Sequence, residues 1–392
     1  MSDPDSPEEF NPFQGMPIFG DLGRLFSQQA ASTWETARQF AVAVATDGQS
    51  EPNVDPADRM ALEELARVAE LQVANTTGLP TTRQGQAASV VAVTRTQWAT
   101  STLEDYRHLL EPIGDVSGRT TEEESSVDPA QAMLDRLMQM IGPMMLSMTA
   151  GSMVGNLARR SLGQYDLPIP RSGSQLMVIP ANIDALADEW SLDPSDLRLW
   201  VCLSELTHHT VLSIPHVSRR VDELLSEYVR SFEANPRALE GRLGELDLSG
   251  DDPLRSLQSV LGDPEVILGA VQSPTQRALL PQITALVSVL AGYVDWTMDS
   301  IGHGLIGSYP RLSEAVRRRR VTAHATDRFV GQMFGLDLTQ DQYDRGAAFA
   351  RGVVERAGTD GLARLWHSER ELPTPAEVDA PGLWLARIDL PD

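Results

Sequence analysis

The chain has 392 residues, with 32 basic side chains against 55 acidic ones, a net charge of −23 and 42% apolar residues. That length is ample for a packed core. The charge excludes a protein that coats nucleic acid, which needs a basic face, and disfavours docking on anionic membranes. All 32 basic residues are arginine, since lysine is absent. The single cysteine, Cys202, excludes an intramolecular disulfide and any cysteine-cluster metal site.

Residues 1–12 are acidic and proline-rich and read as a disordered tail. The apolar stretch Phe13–Phe26 is expected to dock, and Ala31–Thr46 and Asp55–Leu71 read as amphipathic helices, the second opened by Asp-Pro-Ala-Asp. Residues 13–80 are therefore taken as a helical extension and 81–392 as the main domain. Thr94–Leu110 is helical in pattern, with Trp98, Leu103, Tyr106, Leu109 and Leu110 on its apolar side. Gly118–Asp128 is a charged loop, and Pro129–Gly163 is a helical region whose run from Met133 to Met153 reads as adaptable core packing.

Leu176–Ile179 is the clearest strand, followed by helices at Ile183–Ser191, Asp196–Ile214 and Val217–Ala234, with Ser195-Asp196 as an N-cap signal. The acidic loop Asp247–Pro253 leads into Leu254–Leu261, and a further helix runs from Pro274 through Gly302. Helix dominates and no internal repeat is visible. No basic segment followed by an apolar run suggests a signal peptide. The apolar segments around Met138–Met148 and Ile283–Val294 are interrupted and fall short of a bilayer span. A cytoplasmic protein without membrane insertion is expected. The run Arg317–Arg320 reads as a solvated helix end or as a patch for phosphate or an acidic partner.

The chemistry-bearing stretch is Trp200-Val-Cys-Leu-Ser-Glu-Leu-Thr-His-His. Within it, Ser204-Glu205-Leu206-Thr207-His208 lines up with His-Glu-x-x-His, with serine in place of the first histidine. The intact motif sets two imidazoles on one helix face to chelate zinc, while the glutamate acts as general base on the metal-bound water. Glu205 keeps the base position and His208 the second ligand position. Asp295, Asp299 and His303 recur at i, i+4 and i+8, near one helix face. They span about 12 Å along the axis, so at most two could touch one ion. Ser204 and His208 do not form a nucleophile elbow, because no strand–turn–helix presents the serine. Cys202 lies about 10 Å along the axis from His209 and reads as a small core residue. His209, about 100° around the helix from His208, reads as structural or exposed. His108, His216, His324 and His367 lack ligand spacing, and Trp200, Trp296 and Trp366 read as core or cleft-wall aromatics. Neither a P-loop nor a GxGxxG occurs, which leaves nucleotide hydrolysis and a Rossmann cofactor without support.

Several blocks in order resemble a known family. They are Gly163–Pro168 (GQYDLP), Pro180–Ile183 (PANI), Leu199–Glu205 (LWVCLSE), Gly292–Asp295 (GYVD), Gly335–Leu338 (GLDL), Gln342-Tyr343 and Leu372–Thr374. Over roughly residues 85–390 the chain is similar to actinobacterial zinc-dependent metalloprotease-like proteins, related to a group associated with coenzyme F420 biosynthesis. The resemblance implies a mainly α (α+β) fold, a zincin-like helical core with a small β-sheet. It also implies a third zinc ligand, a glutamate, at the position of Ala291. Ser204 and Ala291 are then lost ligand positions, and Asp295 and Asp299 are the candidate substitutes.

The expectation is a degenerate active site with no cofactor, serving as a binding or regulatory module for a peptide or protein partner. The rival is a zinc-dependent hydrolase that uses Glu205 as base with a non-standard metal site. The missing lysine fits a GC-rich genome. In an actinobacterial host it also fits avoidance of the lysine-linked tag that directs proteins to the proteasome.

Overall fold

The computed structural model describes residues 33–83, 85–116, 147–232, 273–322, 330–336 and 338–390. The tail, the Phe13–Phe26 stretch, the Gly118–Asp128 and Asp247–Pro253 loops, Leu254–Leu261, His324 and the methionines from Met133 to Met145 lie outside them.

Helix α1 (Thr33–Ala45) and helix α2 (Pro56–Thr77) open the described chain, the latter capped by the Asp55 carboxylate accepting from the Ala57 N–H. A two-residue hairpin, β1 (Thr82–Arg83) and β2 (Gln86–Ala87), precedes strand β3 (Ser89–Ala92). Helix α3 (Arg95–Asp105) starts at a capping box formed by Thr94 and Gln97, and α4 (Arg107–Val116) follows after a turn at Tyr106. The continuous helix expected over Thr94–Leu110 is thus two helices. The turn lies where Tyr106 is clasped between the Arg171 guanidinium, 4.3 Å from its ring, and the Phe334 ring. Residues 147–160 form a further helix, and Met153 within it is buried.

Strand β4 (Gln175–Val178) pairs in parallel with β3, Val90 opposite Leu176 and Ala92 opposite Val178. The parallel partner Ser89–Ala92 went unread in the sequence, because four small residues show no alternation. Helices α5 (Pro180–Trp190), α6 (Pro194–Leu212) and α7 (Pro215–Arg230) then follow, each with proline in its first turn. The cap of α6 is Asp193, whose Oδ1 accepts from the N–H groups of Ser195 and Asp196. The helix begins at Pro194, two residues before the expected start at Asp196, because Pro194 at the first position leaves Asp193 as the residue able to cap.

Helix α8 (Pro274–Leu305) is the spine, flanked by α9 (Tyr309–Val321) and α10 (Gln340–Ala363), and short helices α11 (Pro375–Val378) and α12 (Pro381–Ile388) close the chain. At 32 residues, α8 is long and apolar enough to cross a bilayer by length and composition, unlike the shorter segment foreseen within it. Most of that stretch is instead buried by α6, α7 and α10, as in the core helix of a helical domain. It crosses α10 at Gly292 and Gly346, where a Cβ on either residue would overlap the facing backbone. Only paired glycines let two helices approach so closely. The fold is mainly helical with a small parallel sheet, as expected.

Candidate functional site

The segment from residue 161 to 174 forms one wall of the site, and it is held by side chains reaching in from α3 and α5 and by its own Arg171. The Asn182 amide donates to the carbonyls of Ala158 and Ser161, and Asn182 Oδ1 accepts from Arg95 Nε. The Trp98 indole N–H donates to the Gly163 carbonyl at 2.9 Å. Arg171, 1% exposed, pairs with Asp105 at 2.8 Å and donates to the Tyr106 hydroxyl and the Gln164 carbonyl. These bonds satisfy a buried backbone segment that lies outside any sheet or helix.

Glu205 on α6 points at this wall. Its Oε2 accepts from the N–H groups of Gln164 at 2.8 Å and Tyr165 at 3.0 Å. A Cβ on residue 163 would overlap its carboxyl carbon, so glycine is required there. Burial, with Asp166 nearby, pushes its pKa up to about 8 against the opposing pull of the two N–H donors. Burial thus favours its neutral form, and the two N–H donors fasten it to the wall.

One turn further, His208 Nδ1 lies 2.9 Å from the Ser204 carbonyl, which can only accept, so Nδ1 carries the proton. Burial pushes the pKa of the ring down to about 4, leaving it neutral with Nε2 as an acceptor. Tyr165 stacks on it at 5.9 Å. The neighbouring His209 is fully buried, with its Nδ1 3.1 Å from the Tyr165 hydroxyl and its Nε2 close to Ser213 Oγ. Of the two expected readings of His209, the structural one holds. Cys202 is fully buried, its thiol pushed up to about 12, and reads as inert packing.

Ser204, Glu205, His208 and Ala291 line one cavity of about 150 Å³, together with Tyr165, Asp166, Trp200, Arg319, Arg320 and Tyr343. The two positions identified as lost ligands thus face the remaining histidine. Asp295 and Asp299 do not join them. They line a neighbouring cavity of about 350 Å³, which shares Arg320 and Tyr343 with the first. Both oxygens of Asp295 accept from Arg320 Nη1, at 2.8 and 3.1 Å. Asp299 accepts from the Tyr309 hydroxyl at 2.7 Å and from Arg317. His303 Nδ1 lies 2.7 Å from the Asp299 carbonyl.

The Arg317–Arg320 run divides, its first half solvated near a helix end as read and its second half turned inward. Arg317 and Arg318 pair with Asp299 and Glu314 on the outside, while Arg319 and Arg320 turn inward to line the first cavity. Arg319 donates to the Arg160 carbonyl and lies 3.7 Å from Asp166. Successive residues on a helix point about 100° apart, so four arginines in a row cannot all face solvent on a packed helix. That geometry was the signal available in the sequence. Among the remaining histidines, His108 is exposed and pairs with Asp222, and His216 and His367 stand away from the cavity residues.

The profile of a known family matches residues 33–385, nearly all of the described chain. The chain belongs to the zincin-like metallopeptidase family. A solved structure from Chloroflexus aurantiacus, described as a proposed hydrolase with a novel fold, shares that architecture. Its TM-score is 0.58 at 24% identity, over 92% of this chain and 99% of the other. No curated protein is similar in sequence.

Zinc is the metal this family implies, and a catalytic zinc takes three protein ligands and a water. The residues present do not fit it. His208 Nε2 is one donor and the Asp166 carboxylate, 3.7 Å from Arg319, a second, while Ala291 supplies none, Ser204 offers a neutral hydroxyl, and Glu205 is committed to backbone N–H groups. Among the described residues no three His, Cys, Asp or Glu side chains stand together as a metal site.

Proposed function

We propose that this member of the zincin-like metallopeptidase family is a binding module. In this reading its metal centre is lost, and its cleft holds a peptide or protein partner rather than cleaving it. The observation that carries the reading is the cavity itself. The helix and its facing spine are in register, so that Ser204, His208 and Ala291 share one space, yet apart from Glu205 the donors around that space are one imidazole and the Asp166 carboxylate beside Arg319, and no three potential ligands stand together among the described residues. Glu205, which would otherwise be the base, is turned to structure by the Gln164 and Tyr165 N–H groups and kept toward its neutral form by burial. A serine and an alanine remove two of three ligands, which removes the affinity that holds a catalytic zinc.

Zinc titration of the full chain after chelation, followed by calorimetry, tests the proposal. The expected result is no stoichiometric zinc and an unchanged melting temperature on adding chelator. The double substitution Ser204→His with Ala291→Glu is expected to gain one equivalent. One equivalent of zinc in the parent chain, lost on His208→Ala, would establish the hydrolase reading instead.

A further inference from the structure

The cavity left by the missing ligands is lined by polar groups that lack partners. Trp200 is 7% exposed, and its indole N–H is buried with no acceptor. Ser204 is 6% exposed, and its hydroxyl makes no hydrogen bond among the described residues. Arg320 spends Nη1 on Asp295 and stacks its guanidinium over Tyr343, while Nε and Nη2 bond to nothing among the described residues. Of the three, the Trp200 N–H is the one closed to solvent; the Ser204 hydroxyl and the unused edge of Arg320 are reachable, and a ligand that enters must match them. A guanidinium edge and a hydroxyl lining one space suit an anionic acceptor with two oxygens. The lining carries three arginines, Arg160, Arg319 and Arg320, against the two carboxyl groups of Asp166 and Glu205, in a chain whose overall charge is −23.

One group in the cavity asks for the opposite. His208 Nε2 faces it as an acceptor, since Nδ1 donates to the Ser204 carbonyl. The fitting ligand therefore carries a carboxylate with an N–H close beside it. Size narrows the choice. About 150 Å³ is below the roughly 300–1,000 Å³ of pockets that enclose a whole small molecule, so this one takes an end. The 350 Å³ cavity on the far side of Arg320 and Tyr343 has room for what precedes that end, and Trp296 and Arg351 line it.

We infer that the former zinc cavity binds the C-terminal residue of a peptide chain. The carboxylate is received by the free edge of Arg320 and the Ser204 hydroxyl, and the terminal amide N–H by His208 Nε2. A guanidinium held from behind by Asp295 presents a fixed edge, the arrangement suited to a carboxylate. The inference rests on the proposal that the cleft holds a peptide, and names which part of the peptide it reads.

The full chain is incubated with two matched pools of random-sequence octapeptides, one ending in free carboxylates and one in C-terminal amides. Retained peptides are identified by mass spectrometry and their Kd measured by calorimetry. The free acids are expected to be retained, with amidation weakening the best of them about 10- to 100-fold, the worth of a charge-assisted hydrogen-bond pair. Arg320→Gln is expected to remove that preference. Ser204→Ala, which leaves the Arg320–Asp295 pair in place, is expected to reduce it in part while the chain melts as before. Equal retention of both pools would overturn the carboxylate inference and leave the peptide-binding proposal standing. Retention of neither would overturn both. N-acetyl amino acids binding as tightly as octapeptides would overturn the peptide end in favour of a free small carboxylate.

Discussion

Two buried glutamates in this molecule meet opposite fates. Glu205, 4% exposed, and Glu377, 3% exposed, both accept backbone N–H groups, from Gln164 and Tyr165 in one case and from Thr374 in the other. Glu377 also receives Arg387 in a two-pronged pair, Nε at 2.5 Å and Nη2 at 3.0 Å. Burial pulls both pKa values up. At Glu377 the guanidinium and the Thr374 N–H outweigh burial and the pKa falls, while at Glu205 nothing of that strength opposes it and the pKa rises to about 8. The contrast teaches that backbone N–H donors orient a buried carboxylate, while a cation decides whether it stays charged. In a zincin the cation is the metal. Here burial outweighs the N–H donors and favours the neutral form of the same glutamate.

The largest expected effect breaks the comparison by pH. With its folded pKa raised, Glu205 keeps its proton from pH 4.5 to about 8 while the unfolded chain loses it. Stability attributable to this group is therefore full below pH 4.5 and falls as pH rises towards 8, at about 1.4 kcal/mol per pH unit at most. Glu205→Gln, which keeps an acceptor for the two N–H groups, should remove that decline. Denaturant melts of both chains from pH 4 to pH 9 check it, and parallel profiles would show that Glu205 is ionised in the folded protein.

Next in size, Arg387→Ala should cost about 3 kcal/mol, because it strands Glu377 and the carbonyls of Arg370 and Leu372 that Arg387 also serves. Thermal unfolding measures this, and the loss should shrink on acidification as Glu377 takes up its proton. The smallest, Gly163→Ala, should cost about 2 kcal/mol, since the added methyl overlaps the Glu205 carboxyl carbon. A cost near zero by the same melt would mean that the clasp yields without penalty.

Much of this molecule was legible in the chain. The apolar side of Thr94–Leu110 was read residue by residue, and all five of its named residues are buried. The spacing of Ser204, Glu205 and His208 placed them on one helix, and the resemblance carried Ala291 to the same space. What went unread was non-local. The wall from 161 to 174 has no periodicity, and Trp98 and Asn182, arriving from elsewhere, with Arg171 from within it, give it a shape. Asp295 and Asp299 were placed correctly on one helix, but their arginine partners come from α9, which helical spacing cannot reveal.

The sequence by itself determined the helices, the absence of a cysteine site and which residue types stand at positions 204 and 291, because these depend on residue identity and on a 3.6-residue period. Tertiary structure alone decided what surrounds those positions. It turned Glu205 onto a backbone wall more than 35 residues away in the chain, and aimed Arg319 and Arg320 inward. It also left Trp200, Ser204 and His208 facing one small space. Charge state and hydrogen-bond satisfaction depend on what surrounds a group in three dimensions, and that surrounding is assembled by packing.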